Sequence, residues 1–222
     1  MEPYFETKLG KLYLSDALEI MKELPDGQFR LIFADYPFKV PGGRKKYFEF
    51  VRRTAEQFDR LLADDGWLVV INNPTNLFRS APYFQGFEFR NEVALIRPHA
   101  FHPPGMFGFK HNNMWILAKK KQKLNLDDKI ADVMEYQNGY RGKGKAWHPE
   151  AVPAWLVEMI VRATTREGDT ILDPFLGSGT TAVVAEKLGR RWVGAEINED
   201  YARIAVQRIK SEGMQRGLSG WI

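Results

Sequence analysis

The chain of 222 residues has no cysteine. That excludes disulfides, thiolate zinc sites and thiol nucleophiles, and it suits a reducing, cytoplasmic setting. No apolar run approaches the ~20 residues that a membrane-spanning helix needs. The opening MEPYFETKLG carries charge and no apolar stretch, so it does not read as a secretory signal. A G-x-x-x-x-G-K-[ST] phosphate loop is missing, as are internal repeats and low-complexity tracts. Excess charge is small: 32 Lys and Arg stand against 28 Asp and Glu, for a net +4. Such a balance favours a polyanionic partner only weakly.

With 44% hydrophobic and 13% aromatic residues, the chain can bury one sizeable core, and residues 1–222 are expected to form a single domain. KLYLSDALEIMKELPDGQ reads as a short strand, Asp16 as a helix cap, and a helix stopped by Pro25 and Gly27. FRLIFADYPF is nearly continuous apolar sequence, as in a strand covered on both faces. Residues 45 to 63 carry Phe48, Val51, Ala55, Phe58, Leu61 and Leu62 at helical spacing. DDGWLVVINN reads as a turn feeding another buried strand, with a short helix after Pro74. FEFRNEVALIRP and NNMWILAKKK look like an antiparallel pair at a sheet edge. After residue 151 a helix, a strand, a glycine turn into a helix, a strand and a last helix follow. Strands alternating with helices predict a mostly parallel α/β sheet covered on both faces.

Residues 97 to 148 differ in character. Ten basic residues (Arg97, Lys110, Lys119, Lys120, Lys121, Lys123, Lys129, Arg141, Lys143 and Lys145) stand against four acids (Asp127, Asp128, Asp132 and Glu135). This segment reads as an insertion suited to a polyanion. His99, His102 and His111 fall within it. Without cysteine, and with no carboxylate at a ligand spacing, they suit a surface or a phosphate rather than a metal. Trp67, Trp115, Trp155 and Trp192 read as core or core-edge residues.

Two stretches promise chemistry. In TILDPFLGSGTTAVVAEKLGRRWVGAEI, a strand ends at Asp173-Pro174-Phe175. Gly177 and Gly179 then let the backbone approach a ligand, flanking Ser178, and Thr180 opens a helix. Glu196 ends the next strand, seventeen residues after Gly179, where a carboxylate can hold ribose hydroxyls. This arrangement suits an adenosine-containing cofactor. A carboxylate at Asp173 would repel a pyrophosphate and attract a cationic sulfonium amino acid, so S-adenosylmethionine fits best. In LIFADYPFKV, the second stretch, a buried strand ends in Asp35-Tyr36-Pro37-Phe38, where the proline lacks a ladder donor and stiffens the loop.

DPFLGSGTTAVVAEKLGRRWVGAE resembles the cofactor motif of amino-group DNA methyltransferases. HPEAVPAWLVEMIVRATTREGD resembles the His-Pro helix segment that precedes it. KLYLSDALEIMKELPDGQFRLIFADYPF resembles their N-terminal half, which ends in the D-P-P-Y catalytic motif. The motif order resembles the beta group: catalytic motif, variable target-recognition region, cofactor motif. The resemblance covers most of the chain outside residues 97 to 145.

The resemblance implies a Rossmann-like methyltransferase fold with a mixed seven-stranded sheet, helices on both faces, and residues 97–148 as a small inserted target-recognition region. Its last hairpin would contribute an antiparallel strand. It implies methyl transfer from S-adenosylmethionine to the exocyclic amine of a base extruded from double-stranded DNA. Asp35 would accept an amine hydrogen, with the Tyr36 carbonyl as a second acceptor. Phe38, or Tyr36, would stack on the base. Asp16, Asp35, His148, Asp173, Pro174, Phe175, Gly177, Ser178, Gly179, Thr180, Glu196 and Asn198 would hold the cofactor, with helix capping the competing role for Asp16 and Asn198. Tyr36 stands where the family usually has proline, and Phe38 where it has tyrosine. Asp at the first motif position leans toward adenine N6 over cytosine N4. A cofactor-binding but silent nucleic-acid-binding subunit is the alternative that Tyr36 and the short insertion favour. An insertion of about 50 residues is small for reading sequence, so a homodimer or a partner subunit would compensate.

Overall fold

The structure, a computed structural model, describes residues 1–37, 40–101, 107–126, 130–135 and 152–213, with the backbone alone at 98–101. Phe38, His102 and His148, expected above as functional or surface residues, lie outside the described residues. The strands are β1 (Phe5–Glu6), β2 (Gly10–Leu14), β3 (Phe29–Asp35), β4 (Leu62–Asn72), β5 (Glu88–Phe101), β6 (Phe109–Ala118), β7 (Val133–Glu135), β8 (Thr170–Asp173) and β9 (Arg191–Glu196). The α-helices are α1 (Ala17–Glu23), α2 (Gly43–Leu61), α3 (Pro74–Ser80), α4 (Ala154–Thr164), α5 (Thr180–Leu188) and α6 (Glu199–Arg208).

Among the described residues all nine strands join one sheet in the order β1-β2-β9-β8-β3-β4-β6-β5-β7. The expected count of seven is corrected to nine. The extra two are short edge strands: β1 lies antiparallel on β2, and β7 lies parallel on β5. Two or three residues carry too little periodicity to be seen in sequence. Within the central seven, β6 runs antiparallel between β4 and β5, as the hairpin expectation required. Residues 97–101 and 109–118 continue this sheet, although they fall within the segment expected as an insertion. Trp155, expected in or beside the core, is exposed.

Side-chain alternation along β3 explains its continuous apolar run. Leu31 and Phe33 enter a core with α4, α5 and α6, while Ile32 and Ala34 enter a second core with α1, α2 and α3. A half-covered strand would need only every second residue to be apolar. On α2, Tyr47, Val51, Ala55 and Phe58 form the buried stripe against that second core. On α4, Leu156, Val157, Ile160 and Val161 do the same on the opposite face. Fully burying each such side chain contributes about 1.5–3 kcal/mol. These two layers fix the register of the sheet, and so they fix where the strand ends lie. No helix among the described residues is long and apolar enough to cross a membrane.

Candidate active site

Strands β2, β9, β8, β3 and β4 are mutually parallel, so their C-terminal ends share one rim. Four neighbouring strands deliver a carboxylate there: Asp16 just after β2, Glu196 ending β9, Asp173 ending β8 and Asp35 ending β3. A cleft of about 740 Å³ opens along this rim, and all four residues line it. Segments near 35 and near 175, far apart in sequence, therefore meet across one pair of strands.

Each wall residue is held by the local chain. Asp16 caps α1, its Oδ1 accepting from the Leu18 N–H at 2.8 Å, and it lines the cleft as well. Asn198 caps α6 by accepting from Asp200 N at 2.9 Å and Tyr201 N at 3.3 Å. It too reaches the cleft, so at both positions the capping residue also lines the cleft wall. Glu196 is only 9% exposed. Its Oε2 accepts from Gly177 N and its Oε1 from Asn198 N, each at 2.8 Å. A carboxylate oxygen has a second lone pair, so Glu196 can still accept from two hydroxyls.

Asp173 is buried, and its Oδ1 accepts from Phe175 N at 3.0 Å. Burial pushes its carboxyl up to about 7; hydrogen bonds from Thr181 and Phe175 work against that rise, and the neighbouring Glu196 charge adds to it. A buried carboxyl under this strain is relieved by a cation. Gly177, at φ +54°, has nothing near the place of a Cβ except the Phe175 carbonyl at 3.8 Å, so its backbone faces open space. Pro174, Phe175, Ser178 and Thr180 also line the cleft. The hydroxyls of Ser178 and Thr180 accept from the buried Arg208 guanidinium at 3.1 Å, which ties the loop to α6. Gly179 is different. At φ +83° its missing Cβ would stand 2.8 Å from the Ala205 Cβ, so this glycine permits the close approach of α6 and lies behind the cleft wall.

On the facing side, Asp35, Tyr36 and Pro37 line the cleft. The Tyr36 ring, expected as the alternative to Phe38 for stacking on a base, is largely held by the core. Tyr36 is 3% exposed, its hydroxyl shares a hydrogen bond with the buried Thr54, and its ring packs on Phe50, Phe58 and Phe175. At the end of an extended strand, consecutive side chains point to opposite faces. Asp35 continues the Leu31–Phe33 side and Tyr36 the Ile32–Ala34 side, so most of the Tyr36 ring enters the second core. The Tyr36–Phe175 contact, 4.9 Å between ring centroids, instead braces the Asp35 loop against the Asp173 loop. Sequence reasoning also missed Phe50, Arg97, Asn112, Ile197 and Tyr201, all on the wall. Ile197 could have been found as the apolar residue that follows the strand-end carboxylate Glu196; it is 72% exposed. Asn112 could have been found as the polar residue in an inward-facing row of β6.

A family model described as DNA methylase, of the N6/N4 type, matches residues 29–207. The chain belongs to this family. Methyltransferases of this kind take their methyl group from S-adenosylmethionine, and the donor set here fits that cationic ligand: four carboxylates share one rim, and burial raises the pKa of one of them, Asp173. Among curated relatives, Type II methyltransferase M.BglII of Bacillus subtilis is 28% identical over 92% of this chain and 70% of its own length. Type II methyltransferase M2.DpnII of Streptococcus pneumoniae is 27% identical over 95% of this chain and 93% of its own. Among solved structures, PvuII DNA methyltransferase, described as cytosine-N4-specific, superposes with a TM-score of 0.81 at 21% identity, covering 93% of this chain and 88% of that one. A putative DNA modification methylase from Thermus thermophilus, solved with S-adenosyl-L-methionine, gives 0.73 at 22% identity, covering 96% of this chain and 100% of that one. These likenesses establish the Rossmann-like methyltransferase fold.

Proposed function

We propose that this methyltransferase modifies the exocyclic amine of a base flipped out of double-stranded DNA, with adenine N6 as the target. The observation that carries the reading is the shared cleft of Asp35 and Asp173 on neighbouring strands β3 and β8. Bound along the Asp16–Glu196–Asp173 wall, S-adenosylmethionine supplies an electrophilic methyl group on a sulfonium. Glu196 takes the ribose hydroxyls, the exposed Ile197 covers an adenine face, and Asp173 balances the positive methionine end. The narrow Gly177 turn admits the chain of the ligand.

Asp35 accepts a hydrogen of the base amine. That draws the nitrogen lone pair out of the ring and aims it at the methyl carbon. The bound donor would supply the methyl, an N–C bond forming as the C–S bond breaks to leave neutral S-adenosylhomocysteine, with the amine proton passing by way of Asp35 to solvent. Holding amine and methyl in contact removes much of the entropic barrier. Phe50 and Pro37 supply apolar surface for the extruded ring, beside the Phe38 position.

The basic segment 97–148 contacts phosphates, and a second copy or a partner subunit extends the short DNA surface. The absence of cysteine suits work in a reducing cytoplasm, where the cell's DNA lies. The silent-subunit alternative drew on Tyr36. The ring of Tyr36 is absorbed by the second core while Asp35 keeps its place on the wall, which supports activity. The cytosine-N4 specificity of the PvuII enzyme favours a second target reading.

Methylation-sensitive sequencing of DNA from cells expressing the chain, beside an Asp35→Ala control, tests all of this. Modified adenines at a fixed sequence in the first and none in the second are expected. Modified cytosines would reassign the base, and equal modification in both would remove Asp35 from catalysis.

A further inference from the structure

Along β6 the described burial alternates, and Asn112, Met114 and Ile116 share the inward row. Met114 and Ile116 are core residues of the α4 side. A carboxamide in that row breaks the apolar pattern that a buried strand face demands. Asn112 is 5% exposed, and its Oδ1 finds no hydrogen-bond partner among the described residues. A buried acceptor left unsatisfied costs folding free energy, so one retained on a cleft wall asks for a ligand. Asn113 also has a buried oxygen without a partner. That residue points to the opposite face, donates to Glu92, and does not line the cleft.

The register places Asn112 relative to Asp35. Asp35 pairs with Ile71 and Ile71 with Met114, so Asp35, Ile71 and Met114 form one row on the α4 side. Asn112 lies one inward position beyond Met114, on the same face and past the end of β4. Both Asp35 and Asn112 line the cleft. Two inter-strand spacings separate their strands, about 10 Å. The two-residue offset along the strand adds about 7 Å, so the two backbones stand ~12 Å apart, and an extruded base amine can lie between the two side chains.

Resting on the functional reading above, we infer that the Asn112 carbonyl oxygen accepts the second hydrogen of the target amine, opposite Asp35 and in place of the Tyr36 carbonyl. An orphan acceptor needs an N–H or O–H. In a DNA strand, adenine and cytosine carry N–H only on the exocyclic amine, so for either base that amine is the group this acceptor engages. Two acceptors on one amine fix its plane, which leaves the lone pair perpendicular to them and facing the methyl group.

The test uses the full chain, radiolabelled methyl donor and a duplex carrying the sequence found by methylation mapping. Asn112→Leu removes the acceptor at similar volume, and Asn112→Asp keeps an oxygen there. Donor affinity by calorimetry is expected to stay within about twofold of wild type in both. For Asn112→Leu, kcat is expected to fall about 10- to 100-fold, the loss of one acceptor to a buried polar group. In Asn112→Asp it is expected to recover to within about fivefold. A structural role would move donor affinity and thermal stability and would show no recovery in the aspartate. Wild-type kcat in Asn112→Leu, or equal losses in both variants, overturns the assignment. Should the leucine variant not fold, Asn112→Ser against Asn112→Ala gives the same comparison. If the wild-type chain transfers no methyl to any DNA, the functional reading falls and takes this assignment with it.

Discussion

Replacing Asp173 by asparagine probes the cofactor wall most directly. The carboxyl is buried at the end of β8 and pushed up to about 7, chiefly by desolvation, from an ordinary value of 3.8. Because the folded state holds the proton more tightly than the unfolded chain, this group favours folding below about pH 4 and loses that contribution as pH rises to about 7. At pH 8 the fold is therefore less stable than at pH 4, on account of this carboxyl, by a shift of about three pKa units, or up to ~4 kcal/mol. Asparagine keeps the acceptor for Phe175 N–H and removes the charge. Without donor, Asp173→Asn is expected to be more stable than wild type at pH 8 by about 1–4 kcal/mol, several degrees in melting temperature for a chain of this size. At pH 4 the two are expected to coincide. Donor binding must run the other way. A cationic ligand requires ionised Asp173, so wild-type affinity is expected to rise between pH 6 and 8, while the variant binds at least about tenfold more weakly with a flat pH profile. Scanning calorimetry without ligand and titration calorimetry with donor measure the two halves. An asparagine variant no more stable at pH 8, or one that binds donor as tightly as wild type, refutes the reasoning.

Tyr36→Phe loses the bond to Thr54, whose hydroxyl still donates to the Val51 carbonyl at 2.9 Å; urea denaturation should report a loss of about 1 kcal/mol, with methyl transfer retained. Tyr36→Ala empties the space between Phe50, Phe58 and Phe175 and should cost about 3–5 kcal/mol together with most activity. Gly177→Ala meets only left-handed backbone strain of about 1–2 kcal/mol, whereas Gly179→Ala adds a clash with Ala205 that must displace α6. Paired thermal melts should therefore show the larger loss at 179, and equal losses would contradict the packing role assigned there.

Much of the local structure was legible. Asp16 and Asn198 read as caps because short polar side chains suit the open N–H groups at a helix start, and both do cap. The two acidic strand ends, Asp35 and Asp173, were visible because a nearly continuous apolar run stops in a carboxylate. The fate of Tyr36 was partly legible. Strand alternation forbids adjacent residues from sharing a face, and applying that rule at the motif would have sent its ring into the core. Gly179 was not legible, since its neighbour Ala205 is twenty-six residues away and nothing local announces the contact. The edge strands β1 and β7 were too short to show a period.

Sequence alone determined the alternation of strands and helices, the caps, the glycine turn and the chemical types at the strand ends. These depend on residues within a few positions of one another, where backbone geometry and side-chain chemistry act directly. Only the tertiary structure decided that β8 lies beside β3, that Asp173 is buried enough to hold its proton near neutral pH, and that Asn112 shares the cleft with Asp35 and has an unanswered acceptor. Strand order and burial are settled by the packing of both sheet faces at once, and no local stretch of the chain contains that information.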